Sequence, residues 1–262
     1  MELAVQGKPA FVGNGGRDHD PELPWLIFVH GAAMDHTSWA LQARYFAHHG
    51  HNVVTVDLPG HGRSEGPALT SIGNIAGWIS DLIDALGATR AAVVGHSMGA
   101  LAALALAAEQ PDKVSHLALL GVSAPMPVSP ALLEAAEADD YAAFDMITIF
   151  GHAARALMGG NPTPGRWMSG GFLRLLEKTA PGVLFKDFSA CNDFVDALEL
   201  AAKISSPTLL ILGDQDRMTP LKAGRKLAEA IDGAEVEVIA GCGHIMMIEG
   251  PDQVVAALKK FL

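Results

Sequence analysis

The sequence predicts an α/β fold in which a mostly parallel β-sheet has helices on both faces. Short apolar segments with strand character alternate along the chain with longer segments of helical periodicity. The first five apolar segments lack polar and apolar alternation, as expected for strands that are covered on both faces. Strands and helices that alternate in this order are typical of parallel sheets. The predicted strands are 25–29, 53–56, 91–94, 117–120, 208–212 and 236–239.

Helical patterns occupy the segments between and after these strands. The first dozen residues are expected to add an antiparallel hairpin that turns at Gly7-Lys8-Pro9, since glycine and proline favour turns. The helical patterns of the α/β part of the chain cover 37–49, 71–86, 98–110, 220–231 and 251–262.

The alternation of strands and helices stops between about residues 125 and 205. Three prolines open this stretch, and Ser206-Pro207 closes it. It contains helical patterns but no convincing strand, so we interpret 125–205 as a helical cap. The cap is inserted into a single α/β core made of residues 1–124 and 206–262. Its helical patterns cover 130–139, 140–150, 166–178 and 193–203.

Composition and charge restrict the classes of partner. The chain has 262 residues, of which 50% are hydrophobic and 18% are charged, and its formal net charge is −11. An acidic surface repels phosphate backbones and anionic membranes. We therefore expect a small molecule as partner, and neither nucleic acid nor a membrane. The sequence leaves the oligomeric state open.

Several features predict a cytoplasmic protein. The two cysteines, Cys191 and Cys242, lack zinc-ligand spacing and are expected to be unpaired thiols, with no bound metal. The N-terminus lacks the basic start and apolar run of a signal peptide. The most apolar helical stretch, 98–108, is far shorter than the about 20 residues of a membrane span. Asn161-Pro162-Thr163 departs from the N-glycosylation pattern because its middle residue is proline.

The pentapeptide Gly95-His96-Ser97-Met98-Gly99 contains the candidate nucleophile. It follows the predicted strand 91–94 and precedes a run of strong helix formers, Ala100–Leu106. A sharp strand-to-helix turn strains the backbone of its central residue and requires neighbours without bulky side chains, a condition that the two glycines satisfy. Such a turn lifts the serine hydroxyl into a cleft at a helix N-terminus. Ser97 is therefore the predicted nucleophile.

The candidate base is a histidine, because a serine hydroxyl is a poor nucleophile until a base removes its proton. In sites built on such a turn, the serine precedes the acid and the acid precedes the histidine. Only His116, His152 and His244 follow Ser97. His116 falls in or beside a strand and His152 in the cap. His244 lies in a glycine-rich loop that can extend over the carboxyl edge of the sheet, so we predict His244 as the base.

The acid is expected in the loop Gly213–Pro220, directly after the strand 208–212, and two aspartates compete there. Asp214 immediately follows the strand and is suited to capping the loop. Asp216 lies further out, where it can approach His244. We prefer Asp216 as the acid and interpret Asp214 as a structural turn residue.

Acyl transfer also needs N–H donors for the oxyanion that develops on the attacked carbonyl. One candidate is the backbone N–H of Met98, the residue after the nucleophile. The second is expected from the loop after the first long strand, where Ala32 follows His30-Gly31. We predict the Ala32 and Met98 N–H groups as the oxyanion hole.

Five ordered blocks of sequence resemble the α/β-hydrolase superfamily, in particular its esterases, lactonases and C–C-bond hydrolases. The resemblance covers about residues 20–262. It implies an eight-stranded, mostly parallel sheet with a helical cap inserted after the strand near Leu120. It also implies Ser97, Asp216 and His244 as nucleophile, acid and base. The blocks are Val29-His30-Gly31-Ala32, Asp57–Ser64, Gly95–Gly99, Gly213–Asp216 with Pro220, and Gly243-His244.

The resemblance and these residues predict a serine hydrolase that cleaves a small-to-medium apolar carboxylic ester or lactone through an acyl-enzyme, without a cofactor. Haloalkane dehalogenases and epoxide hydrolases carry aspartate at the position of Ser97, so those reactions are disfavoured. The cap is rich in Met and Phe, which suits an apolar pocket wall. The residues expected to line the pocket are Met34, Phe144, Phe150 and Met168.

Two alternatives stay open at the level of sequence. The first is a C–C hydrolase of a ring-fission diketone, in which Arg155, Arg166 or Arg174 binds the carboxylate of the substrate. The second is a ligand-binding receptor built on a hydrolase scaffold. Activity on a vinylogous diketone that exceeds activity on simple esters favours the first, and tight binding with negligible turnover favours the second.

Overall fold

A single sheet of eight strands organises the computed structural model, which describes residues 1–160 and 165–262. The tripeptide Asn161-Pro162-Thr163 lies outside the described residues. The strands are arranged in the order β1-β2-β4-β3-β5-β6-β7-β8. They are β1 Glu2–Val5, β2 Lys8–Gly13, β3 Trp25–Val29, β4 Asn52–Val56, β5 Ala91–His96, β6 Val114–Leu120, β7 Thr208–Gly213 and β8 Glu235–Ile239.

Strand direction confirms the prediction of an eight-stranded, mostly parallel sheet. The predicted hairpin, β1 and β2, pairs antiparallel and joins the sheet through an antiparallel contact with β4. Every neighbouring pair from β4 to β8 is parallel. The central strands β4, β5 and β7 are buried along their whole length, whereas exposure alternates along β8 because it lies at the edge of the sheet.

Helices cover both faces of the sheet. Alternate residues of β3 belong to two different apolar cores, so each core lies on one face. Helices α2 (Ile72–Ala85) and α3 (Met98–Glu109) pack into one core, and α1 (Ala40–Ala47) and α12 (Pro251–Phe261) into the other. Within residues 1–160 and 165–262, no helix combines the length and apolar character that a bilayer crossing requires. The remaining core helices are α10 Leu221–Glu229 and α11 Met246–Glu249.

The described residues between β6 and β7 form helices and no strand. The predicted helix over 193–203 is wrong in extent, because its helical part is a separate short helix over 197–201. The helix over 183–193 was not predicted. Asp187 explains why the helix over 183–193 was not predicted, since this residue lies on the buried face of the helix and interrupts its apolar stripe. These helices are α4 Pro130–Glu137, α5 Ala142–Gly151, α6 Ala154–Leu157, α7 Met168–Leu176, α8 Val183–Asp193 and α9 Ala197–Ala201.

Candidate active site

Ser97 occupies the sharp turn between β5 and α3. Its φ is 53° and its ψ is −117°, a conformation that residues with a side chain rarely adopt. Hydrogen bonds fix this strained backbone: the Ser97 N–H donates to the Leu120 carbonyl at 2.9 Å, and the Ser97 carbonyl accepts from the Ala100 N–H at 2.9 Å. The half-buried Ser97, which follows β5, is therefore held to the end of the neighbouring strand β6 and to the first turn of α3.

The two glycines beside the turn are required by close approach of the backbone. A Cβ added at Gly95 would lie 2.3 Å from the Gly99 carbonyl oxygen. A Cβ at Gly99 would lie 2.5 Å from the carbonyl oxygen of His30. The glycines thus let α3 start against the end of β3, which brings the loop after β3 close to Ser97.

Alanine at Gly99 is expected to destabilise the fold by at least about 1–3 kcal/mol, because backbone atoms cannot move aside for the new methyl group. Gly77→Ala in α2 is the matched control, since a Cβ there meets nothing within 4 Å. It is expected to stabilise by about 0.5–1 kcal/mol. Urea unfolding measures both free energies. Equal free energies of unfolding for the two variants would contradict the close approach.

His244 and Asp216 form a buried pair. His244 Nδ1 lies 2.9 Å from Asp216 Oδ2, and the two side chains are 3% and 2% exposed. Burial raises the pKa of Asp216, but the charge of His244 and the hydrogen bonds from His244 and Thr219 outweigh burial and hold that pKa below its ordinary value. Asp216 is therefore a carboxylate that accepts Nδ1–H and leaves Nε2 of His244 free to take a proton.

The loop around Asp216 orients the carboxylate. Its Oδ1 accepts from the N–H groups of Met218 and Thr219, each at 2.8 Å. Its Oδ2 accepts from the Thr219 hydroxyl at 2.6 Å. The other aspartate of this loop, Asp214, is exposed and accepts from the Gly241 N–H at 2.7 Å. Of the two predicted acids, the structure therefore brings Asp216, and not Asp214, against His244.

Hydrogen bonds that involve Gly151, Ala153 and Glu249 hold the His244 loop in place. The His244 N–H donates to the Gly151 carbonyl at 2.7 Å. Glu249 accepts from the Gly243 N–H at 3.0 Å and, through its other oxygen, from the Ala153 N–H at 2.9 Å. Burial raises the pKa of Glu249 to about 7. His244 is therefore anchored to the cap as well as to the core.

A second buried histidine supports the same loop. His96 Nε2 lies 2.9 Å from the His244 carbonyl oxygen. Burial, together with the charge of His244, lowers the pKa of His96 to about 3, so the ring is neutral and donates through Nε2–H. His96 precedes Ser97 in the chain, so this bond joins the turn of Ser97 directly to the loop of His244.

The peptide between Gly31 and Ala32 has a defined orientation. The Gly31 carbonyl lies 2.8 Å from His30 Nδ1 and accepts from the Met34 N–H at 3.2 Å. Because N–H and C=O of a trans peptide point in opposite directions, the Ala32 N–H faces away from these partners. A Cβ at Gly31 would lie 3.2 Å from Ser97 Cβ, so this peptide runs directly against Ser97.

Ser97, His244 and Ala32 line one cavity of about 320 Å³. The Ala32 and Met98 N–H groups have no acceptor within the described part of the chain, which leaves both available to a ligand. The wall of the cavity is mainly apolar and comes mostly from the cap. Its remaining residues are Met126, Pro127, Val128, Ser129, Leu132, Met146, Phe150, Phe188, Cys191, Arg217, Met218 and Thr219.

Comparison with known proteins identifies the family. The sequence model of the alpha/beta hydrolase family matches residues 26–257. The chain belongs to this family. It is 31% identical over 253 residues to a pimeloyl-[acyl-carrier protein] methyl ester esterase from Chromobacterium violaceum, covering 91% of this chain and 94% of that protein.

Two further similarities bear on the chemistry of this α/β hydrolase. It is 28% identical over 254 residues to a 2-hydroxy-6-oxononadienedioate/2-hydroxy-6-oxononatrienedioate hydrolase from Burkholderia vietnamiensis, covering 90% of this chain and 86% of that protein. The crystal structure of the enol-lactonase from Burkholderia xenovorans LB400 has a TM-score of 0.85 and 26% identity, covering 100% of this chain and 99% of that one. The chain also matches Protein ABHD8 from Bos taurus, of which it spans only 55%.

Three of the four expected pocket residues of this α/β hydrolase lie away from the cavity of Ser97. Only Phe150 lines that cavity. Met34 is buried and borders another cavity. Met168 is buried at the start of α7 and borders two further cavities. Phe144 packs edge-on against Tyr141 with ring centroids 5.9 Å apart. A Met- and Phe-rich composition indicates an apolar wall, but it does not show which face of each helix is turned inward.

Thr219 is a site residue that sequence reasoning missed. Its hydroxyl lies 2.6 Å from Asp216 Oδ2 and 3.2 Å from His244 Nδ1, so it touches both members of the buried pair. The available signal was local. An aspartate followed three residues later by threonine and proline is typical of a turn in which the carboxylate accepts backbone N–H groups.

Asp57, the first residue of the Asp57–Ser64 block, forms a cluster with Asp35 and His36 of the loop after β3, and the polar atoms of the three side chains lie within 4.8 Å of one another. Hydrogen bonds account for this arrangement. Asp57 Oδ1 accepts from the His36 N–H at 2.7 Å and from His36 Nδ1 at 2.8 Å, and Asp57 Oδ2 accepts from the Arg63 N–H at 2.9 Å. The cluster shapes the turn after β4 in this α/β hydrolase.

Proposed function

We propose that this α/β hydrolase is a serine hydrolase that cleaves a small-to-medium apolar carboxylic ester or lactone through an acyl-enzyme. The observation that carries the proposal is one apolar cavity shared by Ser97, His244 and Ala32, with Asp216 bonded to His244 behind it. The relatives named as a methyl ester esterase and an enol-lactonase support the same bond type.

In the proposed mechanism, Ser97 Oγ attacks the carbonyl carbon while His244 Nε2 takes its proton. The carbonyl oxygen becomes an oxyanion and accepts hydrogen bonds from the Ala32 and Met98 N–H groups, each contributing about 3 kcal/mol in the transition state. The imidazolium of His244, stabilised by Asp216, then protonates the leaving alcohol. Water repeats these steps on the acyl-enzyme, and no cofactor takes part.

The size and lining of the cavity support the substrate class. A volume of about 320 Å³ is at the small end of ligand pockets. Apolar side chains of the cap, among them Leu132, Met146 and Phe188, surround the position of a bound acyl or alkyl group. Burial of such a group contributes about 25 cal/mol per Å² of apolar surface, which favours apolar over charged substituents.

One observation favours a second candidate, the hydrolysis of a C–C bond in a ring-fission diketone. Arg217 lines the cavity and lies over the Phe150 ring at 5.2 Å. The relative from Burkholderia vietnamiensis is named for a dioate substrate, whose carboxylates require a cation. The arginines first considered for this role lie elsewhere: Arg155 and Arg166 border other cavities, and Arg174 pairs with Glu177.

A substrate panel tests the two candidates. We expect kcat/KM to be highest for p-nitrophenyl esters of short to medium acyl length or for apolar lactones, and much lower for a vinylogous diketone acid. Arg217→Gln is expected to leave ester KM within about 3-fold, because the ester has no charge for Arg217 to pair with. A preference for the diketone that Arg217→Gln abolishes would replace the ester proposal. Tight binding of the panel without turnover would instead indicate a receptor.

A further inference from the structure

A buried carboxylate of the cap, Asp187 on α8, contacts the loop that carries the Ala32 N–H. Its side chain is 1% exposed. Its Oδ2 accepts from the Ala33 N–H at 2.8 Å and lies 2.8 Å from Nε2 of the buried His61. Carboxylates are almost never fully buried without a partner, and here both partners belong to the core. Asp187 has no contact with the cavity of Ser97.

His61 provides the charge that keeps Asp187 in the interior. Its Nδ1 lies 3.1 Å from the Pro59 carbonyl oxygen and its Nε2 contacts Asp187, so both ring nitrogens act as donors. Burial lowers the pKa of His61, but the charge of Asp187 and the hydrogen bond to it outweigh burial and raise that pKa above its ordinary value. The two side chains therefore form an ion pair between cap and core.

A second cap residue holds Ala33 from the other side. The Thr179 hydroxyl, in the segment between α7 and α8, donates to the Ala33 carbonyl at 2.9 Å. Ala33 has a φ of 56°, in the left-handed region that favours glycine. The cap thus satisfies both the N–H and the C=O of a residue whose backbone is strained, and strained residues persist only where their surroundings hold them.

Ala33 follows Ala32 directly, so its conformation sets the position of the Ala32 N–H relative to Ser97. Relaxation of Ala33 to an unstrained conformation would rotate the adjoining peptides and break the turn closed by the Met34 N–H and the Gly31 carbonyl. A displacement of about 1 Å at an oxyanion donor costs roughly 100-fold in rate. The cap therefore controls a group that belongs to the core.

We propose that Asp187 is a positioning residue that, with Thr179, holds the loop of His30–His36 in the conformation required for oxyanion binding. The inference rests on the proposed function, in which the Ala32 N–H binds the oxyanion. Helix α8 also presents Phe188 and Cys191 to the cavity, so the same helix contacts the substrate and fixes the oxyanion loop.

The test compares Asp187→Ala with Asp187→Asn, using the ester or lactone that the unmodified protein turns over best. Asp187→Ala is expected to lower kcat about 10- to 100-fold and to change KM by less than about 3-fold, because the loop acts on the transition state. Asp187→Asn is expected to stay within about 5-fold of the unmodified kcat, since a single oxygen accepts both bonds and the amide oxygen can replace it, while His61 loses its charge and keeps the Nε2–H bond. Asp193→Asn, at the exposed end of α8, is the matched control.

Inhibition by a trifluoromethyl ketone analogue of the substrate separates positioning from a purely structural role. Its adduct with Ser97 carries an oxyanion, so its Ki is expected to rise in parallel with the loss of kcat. Thr179→Val, which removes only the hydroxyl, is expected to lower kcat and raise Ki as Asp187→Ala does, but by a smaller factor. If Asp187→Ala does not fold, Thr179→Val alone tests whether the cap positions the oxyanion loop.

The outcomes that overturn the inference differ from those that overturn the proposed function. Folded Asp187→Ala or Thr179→Val with unchanged kcat and unchanged Ki would show that the contacts only fasten the cap. A rise in KM alone would place Asp187 in substrate binding instead. Failure of the unmodified protein to turn over any ester or lactone would contradict the proposed function itself.

Discussion

Replacing Ser97 with alanine is expected to lower kcat by at least about 10⁴-fold while the protein stays folded. The variant lacks the attacking oxygen, and the remaining oxyanion donors and cavity supply only residual catalysis. Alanine has the same Cβ as serine, so the backbone at a φ of 53° is no more strained than before. Steady-state kinetics on the best ester or lactone, with circular dichroism of the variant, measure the two parts of the prediction.

Ser129→Ala is the matched control for Ser97→Ala, because Ser129 lines the same cavity. Its hydroxyl oxygen only caps α4, accepting from the Leu132 N–H at 3.4 Å. We expect its kcat to stay within about 3-fold and its free energy of unfolding to fall by about 0.5–1 kcal/mol. Turnover of Ser97→Ala comparable to that of the unmodified protein would exclude the acyl-enzyme mechanism.

Asp216→Asn is expected to lower kcat by about 10⁴-fold with little effect on KM. An amide can donate to Nδ1 of His244, which stabilises the tautomer whose Nε2 carries the proton and cannot act as a base. An amide also leaves the imidazolium without a counter-charge in a buried site. The pH dependence of kcat and single-turnover kinetics report the loss at the chemical step.

Asp214→Asn controls for a charge removed from the same loop. Asp214 is exposed, and its contact with the Gly241 N–H can be made by an amide oxygen. We expect kcat within about 3-fold of the unmodified protein. A larger loss for Asp214→Asn than for Asp216→Asn would reverse the assignment of the acid.

The sharp turn at Ser97 is predictable from sequence because its causes are local. Ser97 follows a buried strand and precedes a helix. Glycine is needed at position 95 where the turn meets the start of α3, and at position 99 where α3 meets the end of β3. The strands themselves follow from short runs of apolar residues, since a strand buried on both faces has no polar side. Exposure alternates along β8 because this strand lies at the edge of the sheet.

The choice between Asp214 and Asp216 could not be made from spacing alone. The two residues are two positions apart in one loop, and either can turn a chain. The decision comes from the distant segment of His244, which crosses beside Asp216 and leaves Asp214 at the surface. A contact between residues 28 positions apart depends on how two loops meet over the sheet.

In the cap, sequence determined the apolar character, and tertiary structure decided which residues face the cavity. Phe150 and Phe188 line it, whereas Phe144 and Met168 face elsewhere, although all four have the same composition signal. Asp187 is a second case in which tertiary structure decides the role of a cap residue. A polar residue on a buried helix face weakens the helical pattern in the sequence, and only packing against Ala33 and His61 of the core provides the partners that stabilise it there.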